Sequence, residues 1–291
     1  MARFSVIFLG TSAFAVPSLE ALLRHDAFDI HLVITQPDKP VGRKQLFTSP
    51  PVKVAAEEHN VPVWQPATIN KEFPHSQFAI LNSQFLVVVS YGQILSPSIL
   101  DWPGIAPVNL HASLLPRWRG ASPIQHAILA GDSQTGVTVQ RMVKELDAGP
   151  LLGQVATPVL PRDTTPLLHD RLAVLGAELL VRTLLEPLHP VDQDLSAITI
   201  CHKLTRTDGI VDPATMGAEE IDRKVLALHP WPGVTLTVDG QPLKILRTEP
   251  EPQPESTPLP CAHGTSLHLV TVQPAGKKPM SGAAWARGRK N

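Results

Sequence analysis

The sequence predicts an α/β fold, in which a doubly wound, mostly parallel sheet is followed by a small β-barrel of the oligonucleotide-binding type. Residues 5–10 form a continuous apolar run, as expected for a strand that is covered on both faces. Residues 16–24 follow with apolar side chains at helical spacing, and residues 30–34 form the next apolar run. This β-α-β order favours a parallel sheet. Short alternating runs around the Asp239-Gly240 turn indicate the barrel.

Residue patterns predict the other elements of the first part of the chain in the same way. We expect helices over residues 52–60, 123–130 and 164–185, and strands over residues 61–65, 85–91, 106–113, 136–143 and 151–160. Residues 36–51 contain four prolines, and we predict a long loop there. Loops of this length are uncommon inside compact domains and are often functional.

The polar, proline-containing residues 186–197 mark the end of the first domain. We therefore predict one domain over residues 1–188, a linker over residues 189–204 and a second domain over residues 205–291. In the second domain we expect a helix over residues 218–228 and strands over residues 234–238, 243–247 and 267–272. Residues 249–260 hold five prolines, which predicts an extended loop in place of further barrel strands.

The composition excludes several classes of protein. Hydrophobic residues make up 43% of the chain and charged residues 18%, which fits a globular protein with a sizeable core. Two cysteines give no disulfide framework, and no metal-binding spacing is present, so we expect no metal. The apolar run at the N-terminus is too short for a signal peptide, and no run approaches the ~20 residues of a membrane span. We therefore expect a cytoplasmic location and no membrane partner.

The strand predicted over residues 106–113 ends in polar side chains. Asn109 and His111 lie two positions apart, so both side chains project from the same face of that strand. An amide can donate a hydrogen bond to an oxygen that gains negative charge during a reaction. An imidazole can take or give a proton near neutral pH. An Asn-x-His pair alone often does no more than satisfy backbone groups, so the pair needs support from other motifs.

Further motifs follow in the same part of the chain. Ser113-Leu114-Leu115-Pro116 turns the chain, and Arg117-Trp118-Arg119-Gly120 places basic and aromatic groups on the loop. A carboxylate comes about thirty residues later, in Leu146-Asp147-Ala148-Gly149-Pro150. The loop at residues 92–95 follows another predicted strand, at the carboxyl end where open α/β sheets place their ligands. Together these motifs are far more specific than the Asn-x-His pair.

The charges are unevenly distributed, although the net charge of the chain is only −1. The last 19 residues carry five basic residues and no acidic one, which favours a polyanionic partner. In the loop over residues 36–51, Arg43 and Lys44 are placed where they can meet phosphates.

The motifs above resemble those of the folate-dependent formyltransferases, above all those that act on methionyl-tRNA. The resemblance extends over nearly the whole chain and includes the segments 10–15, 35–40, 116–121, 229–233 and 273–280. It implies a Rossmann-like catalytic domain that uses 10-formyltetrahydrofolate as formyl donor. The implied acceptor is the α-amino group of initiator methionyl-tRNA, giving N-formylmethionyl-tRNA for translation initiation. The chain departs from the family pattern at Lys44-Gln45-Leu46, where many members have Gly-Lys-Lys.

The resemblance also implies roles for individual residues. Asn109, His111 and Asp147 are the implied catalytic residues, and whether His111 acts as base, acid or both stays open. The implied folate contacts are Phe14, Ser90, Tyr91, Gly92, Gln93, Ile94, Ser113, Leu114, Leu115 and Pro116. The implied contacts with the tRNA acceptor stem are Arg43, Lys44, Arg117, Arg119, Lys277 and Lys278. We expect the protein to be a monomer.

Two alternatives remain beside this interpretation. The same three catalytic residues would serve a formyltransferase acting on a nucleotide sugar or another small amine, but the basic tail and the loop over residues 36–51 weigh against it. The chain could instead bind tRNA with an inactive formyltransferase-like domain. The intact set of Asn109, His111 and Asp147 weighs against that second alternative.

Overall fold

The computed structural model describes residues 3–42, 45–74 and 82–289. Contacts between Cα atoms divide the chain into two compact units. Unit 1 comprises Met1–Gly120, Gly136–Thr157 and His169–Ile200, and unit 2 comprises Ala121–Thr135, Pro158–Leu168 and Cys201–Asn291. The predicted linker over residues 189–204 is divided between the two units, and the predicted domain boundaries stay a prediction.

Seven of the ten described strands up to residue 158 form one large sheet. The ten strands are β1 (Phe4–Gly10), β2 (Phe28–Ile34), β3 (Lys39–Val41), β4 (Leu46–Thr48), β5 (Val63–Trp64), β6 (Phe85–Val89), β7 (Ala106–His111), β8 (Arg119–Gly120), β9 (Gln134–Arg141) and β10 (Leu151–Pro158). The large sheet has the order β10-β9-β7-β6-β1-β2-β5, β3 and β4 form a separate hairpin, and β8 belongs to neither. The five strands β5, β2, β1, β6 and β7 are parallel to one another, whereas β9 is antiparallel to β7.

Helices connect the parallel strands, as the β-α-β pattern predicts. The helices up to residue 185 are α1 (Val16–Arg24), α2 (Pro51–Glu58), α3 (Ile69–Glu72), α4 (Pro97–Leu100), α5 (Pro123–Ala130) and α6 (Thr165–Leu185). Helix α1 begins with Pro17 in its first turn, where a missing N–H costs nothing. Its Leu19 and Leu22 are fully buried, and all five residues of β6 are buried too. Burial of both sheet faces explains why these strands read as continuous apolar runs.

The strand order reverses between β1 and β6, which leaves a crevice at the carboxyl ends of these two strands. From β1 the chain builds outward through β2 to β5, and then returns to the other side of β1 to form β6 and β7. Open α/β sheets bind ligands at such a switch point, outside the carboxyl ends of the strands. The predicted fold class, with its mostly parallel sheet, is confirmed.

Unit 1 differs from the sequence-based prediction in several details, of which three concern the predicted loop over residues 36–51 and strands β6 and β7. The loop predicted over residues 36–51 contains a β3–β4 hairpin in which Pro40 pairs with Phe47, because proline is tolerated on an edge strand. Strand β6 ends at Val89, since Ser90 adopts a left-handed backbone with φ 48°. Strand β7 ends at His111, two residues before the predicted end.

Unit 2 contains an antiparallel sheet and a helix packed on it. The elements from residue 200 onward are β11 (Ile200–Cys201), α7 (Ala218–Ala227), β12 (Val234–Val238), β13 (Gln241–Glu249), β14 (Thr257–Pro260), β15 (Ser266–Pro274), β16 (Met280–Ser281) and α8 (Gly282–Arg287). The sheet runs β12-β13-β15-β14, with β16 also paired to β15. Asp239 and Gly240, with φ 48° and 75°, form the predicted hairpin turn.

The proline-rich stretch of unit 2 was predicted to be an extended loop, and part of that prediction is wrong. Residues 257–260 form β14, which pairs antiparallel with β15. Its two prolines, Pro258 and Pro260, lie on the outermost strand of the described pairing path, where a missing N–H leaves no ladder bond unmade. No helix in the described ranges is long and apolar enough to cross a membrane.

Candidate active site

The neighbouring strands β7 and β9 place four polar side chains on one face of the sheet, toward the carboxyl end of β7. In the antiparallel pair of β7 and β9, Asn109 lies directly opposite Gln140, and His111 lies opposite Thr138. Residues that face each other across two strands project from the same face of the sheet. The four side chains therefore line one face. The amide of Asn109 makes no hydrogen bond within the described part of the chain, which leaves its N–H groups available to a ligand.

The imidazole of His111 is held from two sides. Its Nε2 lies 2.8 Å from the backbone oxygen of Trp118. Because a carbonyl oxygen only accepts hydrogen bonds, Nε2 carries a hydrogen and donates it, and Nδ1 is the basic nitrogen of the neutral ring. Nδ1 lies 3.6 Å from Oδ1 of Asp147, and both side chains are only 8% exposed. The ring nitrogen of His111 that is left without a backbone acceptor is therefore Nδ1, which lies beside a carboxylate.

The carboxylate of Asp147 is oriented by two donors. Gln140 Nε2 donates to Oδ1 at 3.0 Å, and the backbone N–H of Gly120 donates to Oδ2 at 2.9 Å. The backbone of Asp147 is left-handed, with φ 52°, a conformation that L-residues adopt at a cost. Strained residues of this kind cluster at functional sites, where surrounding contacts hold them in place.

Close packing against β9 requires glycine at the last position of the Leu-Asp-x-Gly motif. A Cβ on Gly149 would overlap the backbone oxygen of Arg141 at the end of β9. The absence of a side chain thus lets the segment after Asp147 lie directly against that strand, and the N–H of Arg141 donates to the oxygen of Pro150 at 2.9 Å. The motif therefore fixes the position of the Asp147 backbone, and with it the carboxylate, relative to the end of β9.

Gln193 is a buried contributor to this site that the sequence did not reveal. Its Nε2 donates to the backbone oxygens of Asp147 at 2.9 Å and Gly149 at 2.7 Å. Its Oε1 accepts from Arg119 Nε at 3.0 Å and from a terminal nitrogen of the same guanidinium at 2.7 Å. The predicted linker contains Gln193, and only the long-range contacts reveal its role.

Hydrogen bonds within the turn after His111, and between this turn and Thr138 of β9, hold the turn in place. Ser113 Oγ donates to the oxygen of Arg117 at 2.5 Å, and Thr138 Oγ1 donates to the oxygen of Ser113 at 2.6 Å. The N–H of Leu115 donates to Thr138 Oγ1 at 3.1 Å, and Leu115 is buried. The hydroxyl of Ser113 and the backbone N–H of Leu115 therefore stabilise the turn, and the side chains of Leu114 and Pro116 are less buried than those of Ser113 and Leu115.

The crevice between β1 and β6 contains the other residues predicted to contact folate. Thr11 Oγ1 donates to the oxygen of Tyr91, and Ser12 Oγ donates to Ser90 Oγ, both at 2.8 Å. These bonds join the two strand ends across the switch point. Phe14 is buried and packs edge-on against His169, with ring centroids 5.4 Å apart.

The next residues along this crevice differ in exposure. Tyr91 is buried in the core, and burial, followed by the charge of Glu72, raises the pKa of its phenol above the usual range. Gln93 Oε1 accepts from the N–H of Ile69 at 2.9 Å, so its amide is already engaged. Gly92 has a left-handed backbone with φ 91°. Ile94 is 73% exposed and offers an apolar surface to a ligand.

The residues predicted to contact tRNA have different environments. Arg43 and Lys44 lie outside the described residues. The guanidinium of Arg117 is exposed and stacks 4.4 Å from the ring centroid of Trp118. Arg119 is only 8% exposed and engaged by Gln193, so a phosphate would have to displace that amide. In unit 2, Lys277 and Lys278 are exposed, and neither forms an ion pair within the described ranges.

The chemistry of the site is that of an amide donor, an imidazole and a carboxylate. No group of three or more His, Cys, Asp or Glu side chains in the described part of the chain is arranged to hold a metal ion. The Asn109 amide can donate a hydrogen bond to an oxygen that gains negative charge. The Nδ1 atom of His111 can take a proton from a ligand or give one to it, while the nearby carboxylate of Asp147 stabilises the charged ring. This set suits the transfer of a carbonyl-derived group to a nucleophile that loses a proton.

Comparisons with known proteins assign the class. The sequence profile described as Formyl transferase matches residues 2–184, and that of Formyl transferase, C-terminal domain, matches residues 203–290. The chain therefore belongs to the formyl transferase family, as its motifs predict. The structure is similar to that of the N-formyltransferase from Helicobacter canadensis in complex with folinic acid and dTDP-3-aminofucose, with a TM-score of 0.69 and 17% identity over 92% of this chain and 99% of that one. That similarity concerns the fold alone.

Relatives at higher identity specify the branch of the family. The methionyl-tRNA formyltransferase of Gluconobacter oxydans is 42% identical over 297 residues, which cover 98% of this chain and 96% of the relative. The methionyl-tRNA formyltransferase of Halorhodospira halophila is 42% identical over 301 residues, with the same coverage of 98% and 96%. The family expected from the sequence motifs is thus confirmed.

Proposed function

We propose that this protein transfers the formyl group of 10-formyltetrahydrofolate to the α-amino group of initiator methionyl-tRNA. The observation that carries the proposal is the grouping of Asn109, His111 and Asp147 at the end of β7, in a chain 42% identical to methionyl-tRNA formyltransferases. The product is N-formylmethionyl-tRNA, which serves translation initiation. A cytoplasmic location and a monomeric state are part of the same proposal.

Each of the three residues has a distinct task in the proposed reaction. The α-amino nitrogen forms a bond to the formyl carbon, and the formyl oxygen gains negative charge that the Asn109 amide stabilises by donating an N–H. His111 takes the amine proton at Nδ1 and returns a proton to the N10 leaving group as the carbon–N10 bond breaks. Asp147, 3.6 Å from Nδ1, stabilises the imidazolium between these two transfers.

The donor folate is proposed to bind in the crevice between β1 and β6. An aromatic pterin fits beside the exposed side chain of Ile94, and the backbone of residues 90–92 is available to its polar edge. Phe14, Leu114 and Pro116 are proposed to border the crevice, whereas the side chains of Tyr91, Gln93, Ser113 and Leu115 contribute by shaping it.

The acceptor stem of the tRNA is proposed to meet the exposed basic residues. Lys277 and Lys278 carry charges that no acidic side chain in the described ranges neutralises, so both are available to phosphates. Arg117 lies on the loop that follows His111, and its stacked guanidinium suits a phosphate or a base near the reacting end. Arg43 and Lys44 belong to the proposal on their position in the sequence.

The experiment offers labelled 10-formyltetrahydrofolate with methionyl-tRNA, free methionine or a dTDP-amino sugar as acceptor. The proposal predicts labelled product with methionyl-tRNA and none with the two small amines, and the Asn109→Ala variant serves as the matched control. Transfer to the amino sugar would identify a sugar formyltransferase. Tight binding of methionyl-tRNA without any transfer would identify an inactive tRNA-binding protein.

A further inference from the structure

We propose that Gln193 is a positioning residue for the reaction, because it holds Asp147, and through Asp147 the imidazole of His111, in the reactive arrangement. The inference rests on the proposed function, since it deepens the account of the same site. Gln193 lies 46 residues after Asp147, and the resemblance stated above assigns it no role. The structure gives it three direct partners.

The hydrogen bonds of the Gln193 side chain are completely used. A glutamine amide has two N–H donors and an oxygen with two lone pairs. Here the donors reach the backbone oxygens of Asp147 and Gly149, and the oxygen accepts twice from the guanidinium of Arg119. Only 8% of Gln193 is exposed, so water cannot replace these partners without cost. The guanidinium fixes which end of the amide faces Asp147, because it can only donate.

The backbone of Asp147 needs an external restraint. Its φ of 52° lies in the left-handed region, which Asp and Asn tolerate better than other residues with a Cβ but still adopt at a cost in free energy, so surrounding contacts stabilise it. Gln193 binds the two carbonyl oxygens on either side of Ala148, at 2.9 and 2.7 Å, and so fixes two peptide units of the strained segment. The direction of the Asp147 carboxylate toward His111 Nδ1 follows from that backbone.

The segment around Gln193 also fixes the other partner of the imidazole. Val191 and Leu151 exchange two backbone hydrogen bonds of 2.8 and 2.9 Å, which anchor one end of the segment beside β10. At the other end, Thr199 Oγ1 accepts from the N–H of Trp118 at 2.8 Å, and its backbone oxygen accepts from the N–H of Arg119 at 2.9 Å.

Residues 191–199 therefore position the hydrogen-bond or charge partner of each ring nitrogen of His111. Nε2 donates to the backbone oxygen of Trp118, the residue that Thr199 holds, and Nδ1 faces Asp147, the residue that Gln193 holds. A displacement of the reacting groups by about 1 Å can slow an enzyme by ~10²-fold. A segment that was predicted to be a linker thus belongs to the scaffold of the active site.

The test uses Gln193→Met, which keeps the length of the side chain and removes all four hydrogen bonds. We expect kcat to fall by about 10- to 100-fold, with the KM values for 10-formyltetrahydrofolate and methionyl-tRNA within about twofold of the parent values. Thr248→Val is the matched control, because it removes a buried 2.6 Å hydrogen bond to Asp222 in unit 2. The control is expected to lose thermal stability as well, while its kcat stays at the parent value.

A double-mutant cycle separates positioning from a general loss of structure. Asn tolerates a left-handed backbone, so Asp147→Asn removes the charge that Gln193 places and keeps that backbone conformation. The substitution loses one of the two hydrogen bonds from Gln140 and Gly120. If Gln193 acts through this carboxylate, adding Gln193→Met to Asp147→Asn lowers kcat by less than about threefold further. An unchanged kcat in the single Gln193 variant, or a full multiplicative loss in the double variant, would overturn the inference. An inactive parent protein would instead refute the proposed function.

Discussion

Two charged regions of the molecule differ in how firmly their side chains are held. One is the segment from Asp147 to Pro150, and the other is the turn that contains Lys277 and Lys278, called the lysine turn. The carboxylate of Asp147 is 8% exposed and receives hydrogen bonds from Gln140 and Gly120. The lysine turn has a fixed backbone, since Gln273 Nε2 donates to the oxygen of Lys277 at 2.9 Å, but both lysine side chains are exposed and unpaired within the described ranges.

This contrast separates two contributions to one reaction. Groups held in a buried network keep their geometry without reorganising, which is what stabilising a transition state requires. Exposed, mobile charges attract a polyanion over a distance but cannot define the position of an atom. We therefore expect changes near Asp147 to lower kcat and changes at the lysine turn to raise the KM for methionyl-tRNA.

The largest effect is expected for His111→Ala, which removes the group that exchanges the proton. We predict that kcat falls by about 10²–10⁴-fold, the usual contribution of general acid–base catalysis. Binding of 10-formyltetrahydrofolate, measured by calorimetry, is expected to change little, because the proposed crevice lies between β1 and β6. If His111→Ala retained the parent kcat, the imidazole would have no part in the mechanism. The expected difference between the site near Asp147, which sets kcat, and the lysine turn, which sets KM, would then be wrong.

Asn109→Ala is expected to have the next largest effect. Loss of one donor to a developing oxyanion lowers kcat by about 10²–10³-fold. Because the Asn109 amide has no hydrogen-bond partner within the described ranges, its loss leaves no buried group unsatisfied. The thermal midpoint should therefore stay close to that of the parent. A large fall in Tm would mean that the amide is structural, and the kinetic result could then not be assigned to the oxyanion.

The lysine turn is tested by the double variant Lys277→Ala/Lys278→Ala. Each lost phosphate contact reduces the slope of log KM against log salt by roughly one unit. We predict a higher KM for methionyl-tRNA at low salt, a flatter salt dependence and an unchanged KM for folate. Arg287→Ala is the control, since Arg287 already pairs with Glu255 at 3.3 Å. Equal effects of the control and the double variant would show that net charge alone matters.

The smallest effect concerns stability and the buried His126 of unit 2. Burial, as the largest cause, lowers the pKa of His126, although its hydrogen bond to Ser122 opposes the shift. The folded state thus disfavours the protonated form of His126. Its contribution to the free energy of unfolding is therefore complete above the unfolded pKa of about 6.5 and declines as the pH falls below that value.

The check is the Tm of the parent and of His126→Gln between pH 5 and pH 8. The parent should lose more stability than the variant as the pH falls. Asp208, whose pKa the hydrogen bonds from Thr205 lower to about 2, loses its own contribution only at lower pH than this range. Parallel curves for the two proteins would rule out His126 as the source of the difference.

The fold and the shared strand face of Asn109 and His111 were accessible from local rules, whereas Asp147 was joined to them only by the resemblance to the formyltransferases. Apolar runs and helical spacing gave β1, α1 and β6, and the two-residue spacing of Asn109 and His111 placed both on one face of β7. The same rules failed for β14, because prolines that disfavour a central strand are tolerated at an edge.

The supporting contacts of the site were not accessible, because they join residues far apart in sequence. Nothing local distinguishes Gln193 from the other polar residues of residues 186–197, and its partners lie 44 to 74 positions away. The resemblance likewise suggested Arg119 for tRNA, whereas the structure buries its guanidinium against Gln193. Its contact with tRNA stays a prediction, and the Gln193 contact is the one its environment favours.

Single-turnover transfer from a preformed complex of protein, 10-formyltetrahydrofolate and methionyl-tRNA separates the chemical step from tRNA binding, because saturation removes differences in binding. We predict that Asn109→Ala slows the single-turnover rate by about 10²-fold or more, whereas Lys277→Ala/Lys278→Ala reacts at the parent rate. A parent-like rate for Asn109→Ala together with a slow lysine variant would contradict the assignment of chemistry to the end of β7.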